Sequence, residues 1–331
     1  MYPEYMRESI ENVNKTRAER LKLAKTGEPV VEPMSDKERE EVLNKFHPDY
    51  KSDSTKKVRI GPNKGEQITT EVVDVLEAYP RIDPADFDLE NPDIDTDVLV
   101  VGAGSAGFSA ALVAAEQDVT VHLATKLRLG DSNSMMAQGG IQAAVRPDDS
   151  PYLHYLDVMG GGHFDNKPDL VRALVEDAPG ALKWLADLGV MFDRNEDGTM
   201  QTKPGGGTCR PRMHSTRDYS GAGMCRVLRD EVENRADTIR VLEHQPVVEL
   251  IKDDKENVAG AVLYHLENKC FRTIRAKSVI IATGGFGRLH VQGFETTNHY
   301  GATADGLVMA YRAGANLMYM DSVQYHPTGA V

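Results

Sequence analysis

Cysteine is scarce in this chain: Cys209, Cys225 and Cys270 stand far apart, with no CxxC pair among them. That excludes an iron–sulfur or zinc ribbon built by this chain alone and argues against a disulfide framework. Basic residues are outnumbered, 38 Lys and Arg against 51 Asp and Glu, giving a net charge of −13 and a pI near 5.3. Nucleic-acid binding needs a basic face that this balance does not supply. No apolar run approaches the roughly eighteen residues of a membrane span. The start, Met1-Tyr2-Pro3-Glu4-Tyr5, carries charge where a secretory signal would place its apolar core. What is present is a chain of 331 residues, 40% of them hydrophobic, enough for a sizeable core in one large or two moderate domains. These limits describe an acidic, enzyme-like protein of the cytoplasm.

Residues 1–94 read as an arm of helical and extended segments. A polar helix runs through Lys25, and Ser35-Asp36-Lys37-Glu38 matches a capping box that opens a second helix toward Phe46. A polar stretch from His47 to Gly65 follows, then a helix over Glu71–Tyr79 and a loop from Pro80 to Pro92. Such an arm wraps its own domain or a neighbour, or docks a partner subunit. No chemistry is visible in it.

The texture changes at Asp97, and residues 95–331 read as one α/β domain. Val98-Leu99-Val100-Val101 is a short β-branched run suited to a buried parallel strand. The turn Gly102-Ala103-Gly104-Ser105-Ala106-Gly107 follows at once, then an alanine-rich helix to Glu116 and a second strand, Val119–Leu123. Gly102 allows the tight turn, Gly104 lets backbone approach a pyrophosphate, and Gly107 lets helix and strand pack closely. The helix N-terminus then presents N–H groups and a positive dipole end to the phosphates. An acidic residue ending the second strand would bind the ribose hydroxyls. Here the strand ends Ala124-Thr125-Lys126, so that contact must come from a hydroxyl or a backbone group. Further on, Pro168 to Trp184 has helical spacing with Leu170, Leu174, Ala178, Ala181 and Leu182 on the inward side. Val241–Ile251, Val258–Tyr264 and Phe271–Ile274 alternate as a small antiparallel sheet does. Val279-Ile280-Ile281 is a further buried strand ending in the small residues Ala282-Thr283-Gly284-Gly285.

Five segments carry a family resemblance. They are the glycine turn with Thr125-Lys126; Ser132-Asn133-Ser134-Met135-Met136-Ala137-Gln138-Gly139-Gly140; Asp218-Tyr219-Ser220-Gly221; Ala282-Thr283-Gly284-Gly285; and Ala304-Asp305-Gly306 leading to Gln324-Tyr325-His326-Pro327-Thr328-Gly329. In order and spacing these resemble the flavoprotein subunits of fumarate reductases and succinate dehydrogenases, with their relative L-aspartate oxidase. The resemblance covers about residues 95–331. It implies FAD as cofactor, a Rossmann-like FAD-binding domain with an inserted β-meander, and a capping domain beyond residue 331. It carries FAD contacts onto Gly102, Gly104, Ser105, Ala106, Gly107, Thr125, Lys126, Ser132, Asn133, Ser134, Gln138, Gly139, Gly140, Ala282, Thr283, Gly284 and Asp305. It makes His326 a ligand of a substrate carboxylate.

In the family, hydride passes between the flavin and a C4 dicarboxylate while an arginine moves the proton. That arginine falls downstream of the histidine, so the resemblance implies a catalytic group outside residues 1–331 and negligible turnover by these residues alone. Arg210, Arg212, Arg217 and Arg288 are not substitutes for it. Membrane-bound relatives attach FAD through a histidine four positions before the alanine of the glycine loop. This chain has Asn133 there, and an amide has no ring nitrogen for that bond, which implies non-covalent FAD and a bias toward fumarate reduction. An iron–sulfur partner subunit would then deliver electrons, and any link to a membrane would run through partners. An L-aspartate oxidase, or a non-catalytic FAD-binding half of a split flavoprotein, stays open as the alternative.

Overall fold

The computed structural model describes residue 4 and residues 7–26, 34–289 and 296–324. The chain divides into two compact units, 1–54 and 55–331. The first unit holds helices α1 (Arg7–Thr26) and α2 (Asp36–Phe46). At the start of α2 the Ser35 hydroxyl accepts from the Glu38 N–H at 3.3 Å and the Glu38 carboxylate accepts from the Ser35 N–H at 2.9 Å. The capping box written in the sequence therefore forms, and it satisfies two of the N–H groups a helix start leaves unpaired. No side chain of α2 is buried.

The second unit begins earlier than the change in texture at Asp97. A hairpin starts inside the stretch read as polar, His47 to Gly65, with β1 (Thr55–Lys57), and closes just past it with β2 (Gln67–Thr69); α3 (Thr70–Leu76) follows where a helix over Glu71–Tyr79 is expected. Its core is Val58, Ile68, Val72, Val73 and Leu76, packed with Phe286, Tyr311 and Met320. Residues 55–94 thus share a compact unit with the α/β domain rather than with residues 1–54. Their few apolar positions were too short a run to show periodicity.

The centre of the unit is a six-stranded sheet. Its strands are β3 (Ile94–Val101), β4 (Val121–Ala124), β7 (Ile239–Leu242), β8 (Val247–Lys252), β9 (Val258–His265) and β10 (Cys270–Ile281), in the order β7-β4-β3-β10-β9-β8. Strands β5 (Ile141–Gln142) and β6 (Met213–His214) pair separately. The four strands β7, β4, β3 and β10 run parallel, and β10, β9 and β8 are antiparallel neighbours. Strand β10 belongs to both halves. The sequence pattern divides it in two, at Phe271–Ile274 and Val279–Ile281; in the fold, a run of twelve residues pairs β9 with its first half and β3 along most of its length. The span Val241–Ile251 is corrected the other way. It breaks after Leu242, where His244 takes a left-handed backbone (φ 52°) and Pro246 lacks an N–H for a ladder. The first piece joins the parallel edge and the second the antiparallel one.

Helices α4 (Ser105–Ala115), α7 (Pro168–Asp187) and α8 (Ser220–Asn234) share one core cluster with residues of β3, β4 and β7: Val100, Phe108, Leu112, Leu123, Leu182 and Leu228 among others. The inward side of α7 is also corrected. Val171, Val175, Ala178, Leu182 and Leu185 are buried, while Leu170, Leu174 and Ala181 are exposed. Both stripes share Ala178 and Leu182, but only the one through Val171 continues to Leu185 with 4-3-4-3 spacing. Helices α5 (Asn133–Met136), α6 (Pro151–Gly161) and α9 (Asp305–Arg312) complete the unit. The end of β10 is less buried than its sequence suggests, with Ile280 and Ile281 exposed.

Candidate functional site

Parallel register places the ends of three strands on one edge. Val101 is level with Ala124 and with Ile281, so the glycine turn, Thr125-Lys126 and Ala282-Thr283-Gly284 all begin at the same line. Backbone bonds hold them there: the Gly102 N–H donates to Ala124 O at 2.8 Å, and the Ala282 N–H to Val101 O at 2.8 Å. A cleft of ≈ 330 Å³ opens over this edge. Open α/β sheets place their ligands at the carboxyl ends of the strands, for the reason seen here: the turns and helix N-termini converge.

The glycines are required by contact. A Cβ on Gly107 would lie 1.7 Å from Gly102 O, and one on Gly102, which has φ +108°, would lie 2.4 Å from Ala282 O. Beneath Gly104 sit the small side chains of Ser132 and Ser134. Ser134 Oγ accepts from the Ser105 N–H at 3.2 Å and lies 2.9 Å from Ser105 Oγ, so α5 buttresses the first turn of α4.

Across the cleft, α9 brings Asp305 to Lys126. Lys126 donates to the Asp305 carboxylate and, at 2.8 Å, to Thr303 Oγ1; Thr303 in turn donates to Asp305 at 3.0 Å. Gly306 lets α9 approach this closely, because a Cβ there would meet Thr283 Oγ1 at 2.0 Å. A carboxylate thus reaches the cleft from α9 where β4 has none to offer.

Of the predicted cofactor residues, Gly102, Gly104, Ala106, Thr125, Lys126, Ser132, Asn133, Ser134, Ala282, Thr283, Gly284 and Asp305 line this cleft. Ser105 and Gly107 lie in the first turn of α4 beside it. Gln138, Gly139 and Gly140 do not line it; they form an exposed loop beyond α5. That loop is pinned by the start of α8: the Gly221 N–H donates to Ala137 O at 2.7 Å and Ser220 Oγ donates to Gln138 O at 3.1 Å. Gly140, at φ +134°, packs so close to His214 O that a Cβ would stand 2.3 Å away. His326 lies outside the described residues.

Asn133 is engaged at both ends. Its Nδ2 donates to Asn298 Oδ1 at 2.9 Å, and its Oδ1 accepts from the His299 N–H at 2.6 Å. His299 lines the cleft beside it and escapes a reading of the sequence, as does Thr303. No motif marks His299, and Thr303 stands one residue outside the N-cap Ala304, bonding the Asp305 side chain and capping no backbone N–H of α9, so neither left a local signal. One of the four arginines denied a catalytic role has a clear structural one. Arg212 is fully buried, with a bidentate pair to Asp149 at 2.8 Å and a bond to Asp157, away from the cleft.

These features define a dinucleotide-binding flavoprotein site. Residues 97–331 match the FAD binding domain family; the chain belongs to it, and FAD is its cofactor. The chain is 37% identical over 247 residues to a fumarate reductase (CoM/CoB) subunit of Methanothermobacter marburgensis, covering 73% of this chain and 44% of that one. It is 35% identical over 239 residues to an L-aspartate oxidase of Streptomyces coelicolor, covering 71% and 40%. Among solved structures, Mycobacterium smegmatis Sdh1 in complex with UQ1 superposes with a TM-score of 0.62 at 33% identity, over 66% of this chain and 38% of that one. The chain therefore spans under half the length of each of these relatives. The residues present fit the cofactor: a glycine cradle that side chains would fill, a helix N-terminus for the pyrophosphate, and a carboxylate opposite.

Proposed function

We propose that this chain is the FAD-bearing part of a flavoprotein subunit that interconverts fumarate and succinate, working mainly as a fumarate reductase. Support comes from the convergence of two family segments, the glycine turn with Thr125-Lys126 and Ala282-Thr283-Gly284-Gly285, on one sheet edge and from the 37% identity to a fumarate reductase subunit. Bound FAD supplies two-electron transfer to or from the dicarboxylate. In this reading the first turn of α4 would hold the pyrophosphate, Asp305 would take ribose hydroxyls, and the loop Gln138–Gly140, outside the cleft itself, would offer backbone to the flavin ring. His326 donates to one substrate carboxylate and fixes its orientation.

Asn133 carries the preference for reduction. An amide that cannot bond to the flavin leaves its potential lower than covalent attachment would, which favours passing electrons to fumarate. Electrons arrive from an iron–sulfur partner subunit. No helix among the described residues is long and apolar enough to cross a membrane, and we assign any membrane association to partner chains.

A second reading, L-aspartate oxidase, is favoured by the 35% identity to such an enzyme and shares the non-covalent flavin. Anaerobic addition of L-aspartate to the native flavoprotein separates the two. A reductase keeps its oxidised flavin spectrum, whereas an oxidase bleaches. Bleaching by L-aspartate at a catalytic rate would overturn the first reading. Indifference to L-aspartate, succinate and fumarate alike would favour a non-catalytic FAD-binding half.

A further inference from the structure

The family match starts at residue 97, yet the segment before it is built into the same unit as α9. Tyr311, on the last turn of α9, donates its hydroxyl to Ile60 O at 2.5 Å and accepts from the Asn63 N–H at 3.3 Å. The Asn63 carboxamide pairs with the Leu317 backbone in both directions, Nδ2 to O at 2.8 Å and N–H to Oδ1 at 2.9 Å. Arg312 donates to Ala78 O at 3.1 Å and pairs with Glu249 on β8. The hairpin turn closes around the phenol, since a Cβ on Gly61 would meet the Tyr311 ring at 2.5 Å. Asn63 and Tyr311 are 1% and 4% exposed, so these bonds are shielded from water.

The other end of α9 is the cleft wall. Asp305 sits six residues before Tyr311, on a helix of eight residues, about 12 Å long. A short helix held at one end by a buried clamp is held at the other as well. Lys126 and Thr303 meet Asp305 only if that helix keeps its place.

We propose that residues 55–78 are a brace for the cofactor site, with Asn63 and Tyr311 as positioning residues that set the grip on FAD through Asp305. The inference rests on the reading of Asp305 as a FAD contact. It gives the hairpin and α3 a role that no motif in them announces.

The test is a double-mutant cycle on the full chain, reading the FAD dissociation constant of the apoprotein by quenching of flavin fluorescence, well below the melting temperature. Tyr311→Phe keeps the ring in the core and removes only the hydroxyl. Losing the two shielded hydrogen bonds of that hydroxyl, to Ile60 O and from the Asn63 N–H, should weaken FAD binding about threefold to tenfold. Asp305→Asn should weaken it too, and in that background Tyr311→Phe should add no further loss. Asn63→Ser repeats the comparison if Tyr311→Phe does not yield folded protein. A lowered melting temperature with unchanged FAD affinity in Tyr311→Phe, while Asp305→Asn still weakens binding, would reduce the brace to ordinary core packing. Equal losses in both backgrounds would also overturn it, since the effect would then bypass Asp305. Normal FAD affinity in Asp305→Asn would instead remove the contact on which the inference stands.

Discussion

Asn133 holds two strands of argument together. Its carboxamide ties the start of α5 to Asn298 and to the backbone of His299, so it has a structural task that leaves neither end free. It also occupies the position at which the resemblance would place a flavin-linking histidine. FAD should therefore leave the protein on acid precipitation, with a colourless pellet and a yellow supernatant. Flavin retained in a washed pellet would mean that another side chain makes the bond. Gly107 answers to geometry alone. A methyl group 1.7 Å from Gly102 O cannot be accommodated without moving the turn. Gly107→Ala should cost about 3 kcal/mol or more in apoprotein stability and abolish tight FAD binding, as read by thermal melting and flavin retention. Wild-type stability with FAD retained would show that helix and turn are looser than described.

At the scale of elements, the legible parts were those whose signal is local. The strand, glycine turn and helix from β3 into α4 stood out because each residue type has a single steric reason to be there. The capping box at Ser35 was equally plain. What escaped depends on distant partners. Strand β10 could not be recognised as one run, because its first half pairs with β9 and most of its length with β3, 180 residues away. The inward side of α7 was misread by one position, since periodicity over Pro168–Trp184 favours either stripe until Leu185 is counted. Short hairpins such as β1–β2 leave almost no pattern at all.

Buried histidines on these elements set a pH dependence that sequence could not show. His154 on α6 and His214 on β6 are buried and His122 on β4 is partly so; burial is the first cause holding each below its ordinary value. A base with a lowered folded pKa stays neutral in the fold while the unfolded chain takes up its proton below the ordinary histidine value of 6.5. Stability should thus fall as pH drops from about 7.5 to about 5.5, and His214→Gln should flatten that slope in a series of thermal melts. An unchanged slope in the variant would show that His214 titrates normally in the fold. Asp149 has the opposite charge logic: its pairing with Arg212 lowers its pKa, and the stability this confers is lost only well below the histidine range.

For the molecule as a whole, the candidate site was more legible than the architecture around it. Twelve of the residues named from sequence line one cleft, because motifs for backbone approach and phosphate binding are local and strict. The charge arrangement was not foreseen. Lys126 stands two residues past the end of β4, and the carboxylate facing it comes from Asp305 on α9, across a separation of 179 residues. Nor was the partition of the chain, in which residues 55–94 share the unit of the FAD-binding domain. The proposed function turns on whether the flavin passes electrons to a dicarboxylate. The decisive measurement is the absorbance of the native flavoprotein after anaerobic photoreduction, followed on addition of fumarate. Rapid return of the oxidised flavin bands, matched by formation of succinate, is the predicted result. Flavin that stays reduced in excess fumarate would contradict the account.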